Sequence, residues 1–136
     1  MIARLPAVLL LVAGVGIAAG APKSWHTPCS GYPLRGATGP FRMGASNPEI
    51  RRPVCVSCPA PRIQGHLDLS ELRGPLVLEA VISERGRVRS VKVLRPVHPR
   101  FDAAAVAALE SARFRPATRN GRPVAVCMAF MVQAHP

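Results

Sequence analysis

Leu76-Val77-Leu78-Glu79-Ala80-Val81-Ile82-Ser83 is the stretch on which the fold turns. Its even positions, Leu76, Leu78, Ala80 and Ile82, are all apolar and its odd positions are mixed, the period of two that a half-buried strand requires. Glu84-Arg85-Gly86-Arg87 follows as a turn, with Gly86 free to take the positive φ of a short hairpin loop. Residues 88–94 return as a second strand. Their alternation is less clean, and a bulge near Gly86 accounts for it.

Working toward the C-terminus, Arg95-Pro96-Val97-His98-Pro99 breaks the ladder. Asp102 is placed as a helix N-cap or as a first-turn acid favoured by the helix dipole. Residues 103–113 predict a helix, rich in alanine, with Ala105, Val106, Leu109 and Ala112 on one stripe. Pro116 cannot continue it, and Asn120-Gly121 is a turn signal. Val124-Ala125-Val126-Cys127-Met128-Ala129-Phe130-Met131-Val132 reads as a final strand. Its even positions are bulky, so Cys127 should point away from the main core face. There an arm carrying Cys55 and Cys58 could cross and be tied down. The order strand, hairpin, strand, helix, strand predicts an α+β domain: a small two-layer structure, an antiparallel three-stranded sheet with a helix packed on one face.

Working toward the N-terminus, residues 22–62 are dense in Pro, Gly, Ser and Arg and show no sustained period, so they read as an irregular arm. Trp25, Tyr32 and Phe41 are scattered through it and are available to dock on the domain. Residues 67–72 suit a helical turn capped by Asp68 or Ser70. Residues 1–4 are positively charged and residues 5–19 are apolar without a charge or strong polar group. Small residues Ala18-Ala19-Gly20-Ala21 follow, giving the form of a secretory signal cut after Gly20. The alternative is a short retained anchor, because 17 residues from 5 to 21 lie at the lower edge of what spans a bilayer, about 17–25. The expected organisation is therefore 1–20 signal peptide or anchor, 21–62 arm, and 63–136 domain, with the bulk of the chain outside the cytoplasm, free after cleavage or tethered to the membrane by residues 5–21.

The chain of 136 residues carries a net charge of +11, which raises a nucleic-acid reading. Its arginines are mostly isolated and spread from Arg35 to Arg122 rather than gathered in one run, and an exported protein meets no genome, so no nucleic-acid partner is expected. Attraction to anionic envelope material is the sharper reading of the charge; solvated strand and turn arginines are the simpler one. Cys55-Val56-Ser57-Cys58 is a C-x-x-C motif, but Pro59 and Pro61 follow and no βαβ pattern surrounds it, which argues against a thioredoxin-like redox site. A zinc site would lack a second closely spaced pair, so no metal is expected. Structural disulfides among Cys29, Cys55, Cys58 and Cys127 fit an oxidising compartment best, with three connectivities open. No nucleophile elbow, metalloprotease helix motif, phosphate loop or acid pair is present, so neither an enzyme nor a cofactor is expected.

Residues 74–132 resemble the C-terminal domain of TonB-type energy-transducing proteins. The matching runs are Gly74-x-Leu76-Val77-Leu78-Glu79-Ala80-Val81-Ile82, Gly86-x-Val88 and Val91-x-Val93-Leu94-Arg95. Phe101-Asp102-x-Ala104-Ala105-Val106-x-Ala108-Leu109 and Phe114-Arg115-Pro116-Ala117-Thr118-x-Asn120-Gly121-x-Pro123-Val124 follow, and these two are the most specific. The resemblance covers somewhat under half the chain. It implies a domain that grips a short peptide of an outer-membrane receptor, or another envelope protein, by strand addition beside the C-terminal strand. Residues 124–132 are then the candidate docking edge, serving energy-dependent transport. If the leader is an anchor, inner-membrane motor proteins are implied as further partners; if it is cleaved, a disulfide-stapled binding module uncoupled from the motor. Homodimerisation through the exposed edge is compatible with the pattern. The family's Tyr-Pro pair before the first strand is missing, and the arm is short.

Overall fold

In a computed structural model, the structure describes residues 29–33, 39–43 and 48–134. Three short strands come first: β1 (Phe41–Arg42), β2 (Ile50–Arg51) and β3 (Val54–Ser57). A 3₁₀ turn (Leu69–Glu71) leads into β4 (Leu76–Ile82) and β5 (Val88–Arg95). The helix α1 (Pro99–Ser111) follows, then β6 (Arg113–Arg115), β7 (Ala117–Arg119), β8 (Arg122–Val124) and β9 (Val126–Val132).

The main sheet runs β1-β9-β4-β5. Its antiparallel trio β9-β4-β5 is the expected three-stranded sheet, and β1 adds to it in parallel at the β9 side. The four even-numbered apolar residues of β4 have no exposed surface at all. Leu76 and Leu78 meet Phe101 and Ala105 of α1, which places the helix on that face. At the other end of the strand Ile82 and Val126 join Phe41, Ile50 and Ala117. There β2-β7-β8 forms a second small sheet, while β3 and β6 pair as a two-stranded ribbon. The arm is therefore not irregular throughout: it contributes three strands, too short to carry a readable period.

Several expectations shift. The helix begins at Pro99, four residues before the predicted start, because Pro fits the first helical position, where its missing N–H is no loss. His98 is the N-cap, its Nδ1 accepting from the Arg100 N–H. Asp102 takes the second of its two expected roles, that of first-turn acid. Its carboxylate accepts the N–H groups of Val97 and His98 at 3.1–3.3 Å. The bulges of β5 lie opposite Val77/Leu78 and Glu79/Val81, within the strand rather than at Gly86, and Ser90 adopts a φ of 53°. The predicted strand over 124–132 is broken at Ala125. Val124 closes β8 against Ala117, and Val126 opens β9 against Ile82. The Ala125 carbonyl accepts the Phe41 N–H at 2.9 Å, so the chain turns a corner there between two sheets. The 3₁₀ turn has Asp68 as its N-cap, accepting from the Ser70 N–H at 2.9 Å.

Candidate functional site

The strand β9 has β4 on one side over its whole length. On its other side β1 covers only the beginning, with Phe41 opposite Val126 and Arg42 opposite Cys127. The Phe41 N–H donates to the Ala125 carbonyl and the Met43 N–H to the Cys127 carbonyl, at 2.9 and 2.8 Å. Odd-numbered residues of β9 thus turn their backbone groups outward and even-numbered ones toward β4. Among the described residues no strand continues along this side past Cys127. Ala129 and Met131 are left facing outward, both exposed, Met131 by 75%. Of the candidate docking edge, Val124 and Ala125 belong to the corner, Val126 and Cys127 are occupied by the chain's own arm, and residues 128–132 carry the open stretch.

An apolar groove of about 350 Å³ runs beside that stretch. Phe130, Met131 and Val132 form one side, and Ala108, Leu109 and Ala112 of α1 another. Cys55, Cys58, Pro59 and Pro61 complete the lining. Phe114 closes the end, its ring 6.0 Å from that of Phe130. Ala105, Leu109 and Ala112 of the predicted helical stripe also line this groove, so the stripe serves the core and the cavity together. Phe114 and the two prolines were not anticipated as site residues; nothing in their local pattern points to the groove, because it forms only when three distant segments meet.

Behind the sheet, Cys127 and Cys29 are joined by a disulfide, and Cys55 and Cys58 by another. Cys127 does point away from the helix face, as its parity demands. The crossing segment tied there, however, carries Cys29, because the 55–58 segment pairs with β6 elsewhere. Glu79, 8% exposed on the same face, accepts the Cys29 N–H at 2.5 Å. Val81 and the partly buried Tyr32 fill out this small cluster. Cys29, Cys127 and Glu79 bring three potential ligand atoms together, but the two sulfurs are bonded to each other and the carboxylate is engaged. Phe41, one of the scattered arm aromatics, is 2% exposed and lies under the Arg119 guanidinium, 5.3 Å from its ring centre. Trp25 and the leader lie outside the described residues.

Residues 68–133 match the family model for the Gram-negative bacterial TonB protein C-terminal. That segment belongs to the TonB C-terminal family. A solution NMR structure of the Pseudomonas aeruginosa TonB CTD is similar at 19% identity, covering 68% of this chain and 93% of that one, with a TM-score of 0.46. A search of curated proteins found no match. The TonB family is one of bacterial envelope proteins, and its C-terminal domain is an interaction domain whose relatives in general engage outer-membrane receptors. The quoted blocks through Phe101 and Phe114 fall inside the matched segment. The three strands of the arm and both arm cysteines of the C-x-x-C motif fall outside it. No helix among the described residues is long and apolar enough to cross a membrane.

Proposed function

We propose that this chain is a TonB-like periplasmic protein that binds an extended peptide of an outer-membrane receptor by strand addition over residues 128–132, in support of energy-dependent transport. The observation that supports it is the outward-facing backbone of Ala129 and Met131 lying directly beside an apolar groove. An added strand would bond to that backbone, and one of its alternate side chains would enter the groove, so that ladder bonds supply affinity and the pocket supplies selectivity. The division into a leader ending at 20, an arm to 62 and a domain from 63 belongs to the same proposal.

The test is a titration of isotope-labelled protein with peptides tiling the periplasm-facing segments of outer-membrane receptors from the encoding bacterium. The amides of Ala129 and Met131 and the methyls of Leu109 should shift together for a subset of peptides. Shifts confined to β5 or to the Arg119 side would sink the edge assignment. A second reading, a binding module not coupled to the inner-membrane motor, is favoured by the disulfide-stapled arm and by an apolar segment, residues 5–19, with no polar residue for a motor to engage. Intact mass from fractionated cells separates the two. A soluble product starting near Ala21 supports the uncoupled module, and a full-length product in the inner membrane supports the transducer.

A further inference from the structure

The two disulfides occupy opposite environments. Cys29 and Cys127 are 2% and 0% exposed, and the Glu79 carboxylate sits against them. An attacking thiolate would have to enter a buried space already filled by that side chain. Cys55 lies on a strand whose four residues are all exposed, and Cys58 is exposed as well. The first bridge closes a separation of 98 residues and the second a separation of 3. Opening the second therefore returns very little chain entropy, whereas opening the first returns much.

The 55–58 bridge also sits at a structural joint. The β3–β6 register shifts between Cys55 and Ser57, so Val56 is an extra residue that bends the strand. The two Cα atoms are 6.1 Å apart, against roughly 10 Å for three residues in extended chain. Both cysteines line the apolar groove together with Leu109 and Phe130. The bridge thus holds the bent segment that makes one wall of the groove.

We propose that Cys55–Cys58 is an exchangeable disulfide, open to a dithiol reductant in the native fold, and that its state sets the shape of the groove; the functional weight of this rests on the groove being the peptide site. In the exchange, one thiolate of the reductant attacks an exposed protein sulfur, giving a mixed disulfide and releasing one cysteine thiolate, which takes up a proton. The reductant's second thiolate then displaces the other cysteine. The protein ends with two thiols and the reductant with a disulfide, two electrons having passed to the protein. Reduction frees Val56 and Ser57 to extend, and the wall carrying Cys55 and Cys58 moves off Leu109.

The test treats the full chain, recovered oxidised from the envelope of expressing cells, with dithiothreitol below any unfolding condition. Released thiols are alkylated and mapped by mass spectrometry. Cys55 and Cys58 should be trapped at least about tenfold faster than Cys29 and Cys127, as their exposure dictates. In labelled protein, the Leu109 methyls and the Met131 amide should shift on reduction while the resonances of Val81 and Tyr32 stay in place. Thiols released only on unfolding, a faster opening of Cys29–Cys127, or trapping without movement at Leu109 would each overturn the proposal. The paired substitution Cys55→Ser with Cys58→Ser should reproduce the reduced spectrum and lose its response to dithiothreitol. A pair variant that cannot fold also refutes the proposal, since an exchangeable bridge must be dispensable to the fold. None of these readouts needs a peptide, so a failure here is distinguishable from a failure of peptide capture.

Discussion

Gly86 shows how far a single residue reaches. Its φ of 78° suits the hairpin loop, as expected from the turn, but the stronger constraint comes from elsewhere in the chain. A Cβ placed on Gly86 would overlap the Phe114 carbonyl oxygen, which is backbone and cannot swing aside. The Gly86 carbonyl in turn accepts the Phe114 N–H at 2.9 Å, so the turn and β6 are in direct backbone contact. Gly86→Ala should therefore destabilise by about 2–4 kcal/mol, combining a left-handed non-glycine residue with overpacking. Urea unfolding would measure it; a loss under half a kilocalorie would mean β6 is free to move away. Asp102 makes the complementary case, where a polar residue in the first turn replaces water for two backbone donors. Asp102→Ala should lower stability by about 1–2 kcal/mol, while Asp102→Asn, which keeps an acceptor oxygen, should lose less. Equal losses for the two would put the effect on charge rather than on the acceptor. The glycine's conformation was legible locally and Asp102's role only as one of two choices. The contact with Phe114 was not legible at all, because it joins residues 28 apart through main-chain atoms that leave no mark on side-chain pattern.

At the level of elements, legibility followed length. The seven residues of β4 carry a period of two that the core respects at every even position. Asn120-Gly121 gives the β7–β8 hairpin, with both residues at positive φ. Strands β1 and β2 are two residues each, and no periodicity can be read from two residues. Pro99 is ambiguous in sequence because proline usually interrupts a ladder, yet the same ring is at home on the first turn of a helix. Of the candidate edge over 124–132, only residues 128–132 are open, since its beginning turns a corner and is then covered by an arm strand with no sequence signature. Its period makes a sharp prediction. Ala129→Pro removes an outward N–H and leaves the β4 ladder whole, so the fold should survive while receptor-peptide binding weakens. Phe130→Pro removes a bond to β4 in the middle of the sheet and should unfold the domain, losing about 3 kcal/mol or more. Circular dichroism with peptide titration separates these outcomes, and identical behaviour of the two variants would contradict the parity assigned to β9. The 3₁₀ turn offers a pH test. Hydrogen bonds from the Ser70 side chain and backbone hold the Asp68 carboxyl below its ordinary range. A depressed folded value means the cap's support is present at neutral pH and is lost as pH falls through it, below the ordinary aspartate value of about 3.9. Protection of the Ser70 amide, its exchange relative to that of an unstructured chain at the same pH, should fall in that acid window, and Asp68→Asn should abolish the dependence.

For the whole molecule, the question is what holds the arm against the domain. Two devices compete: burial of Phe41 and the Cys29–Cys127 bridge. Phe41 is 2% exposed, and a buried side chain of that size contributes about 1.5–3 kcal/mol. The bridge closes a separation of 98 residues, for which chain entropy gives about 4–5 kcal/mol. A two-residue parallel strand adds little by itself, since even a full two-stranded hairpin is marginal in water. By these magnitudes the bridge dominates, and β1 stays on β9 because Cys29 is tethered. Replacing both Cys29 and Cys127 with Ser should then do two things. Global stability should fall by about 3–5 kcal/mol, and the backbone amides of Phe41 and Met43 should exchange far faster than those of β4. The open edge would lengthen from residues 128–132 toward residues 125–132, admitting a longer added strand or a second copy of the chain. Hydrogen exchange read residue by residue decides between the devices. If stability falls but Phe41 and Met43 remain as protected as β4, then aromatic burial holds the arm and the bridge only restrains the unfolded chain. If their protection collapses while β4, β5 and α1 keep theirs, the arm is a tethered strand covering the start of the open edge, and the length of edge left free is set by a covalent bond on the far face of its sheet.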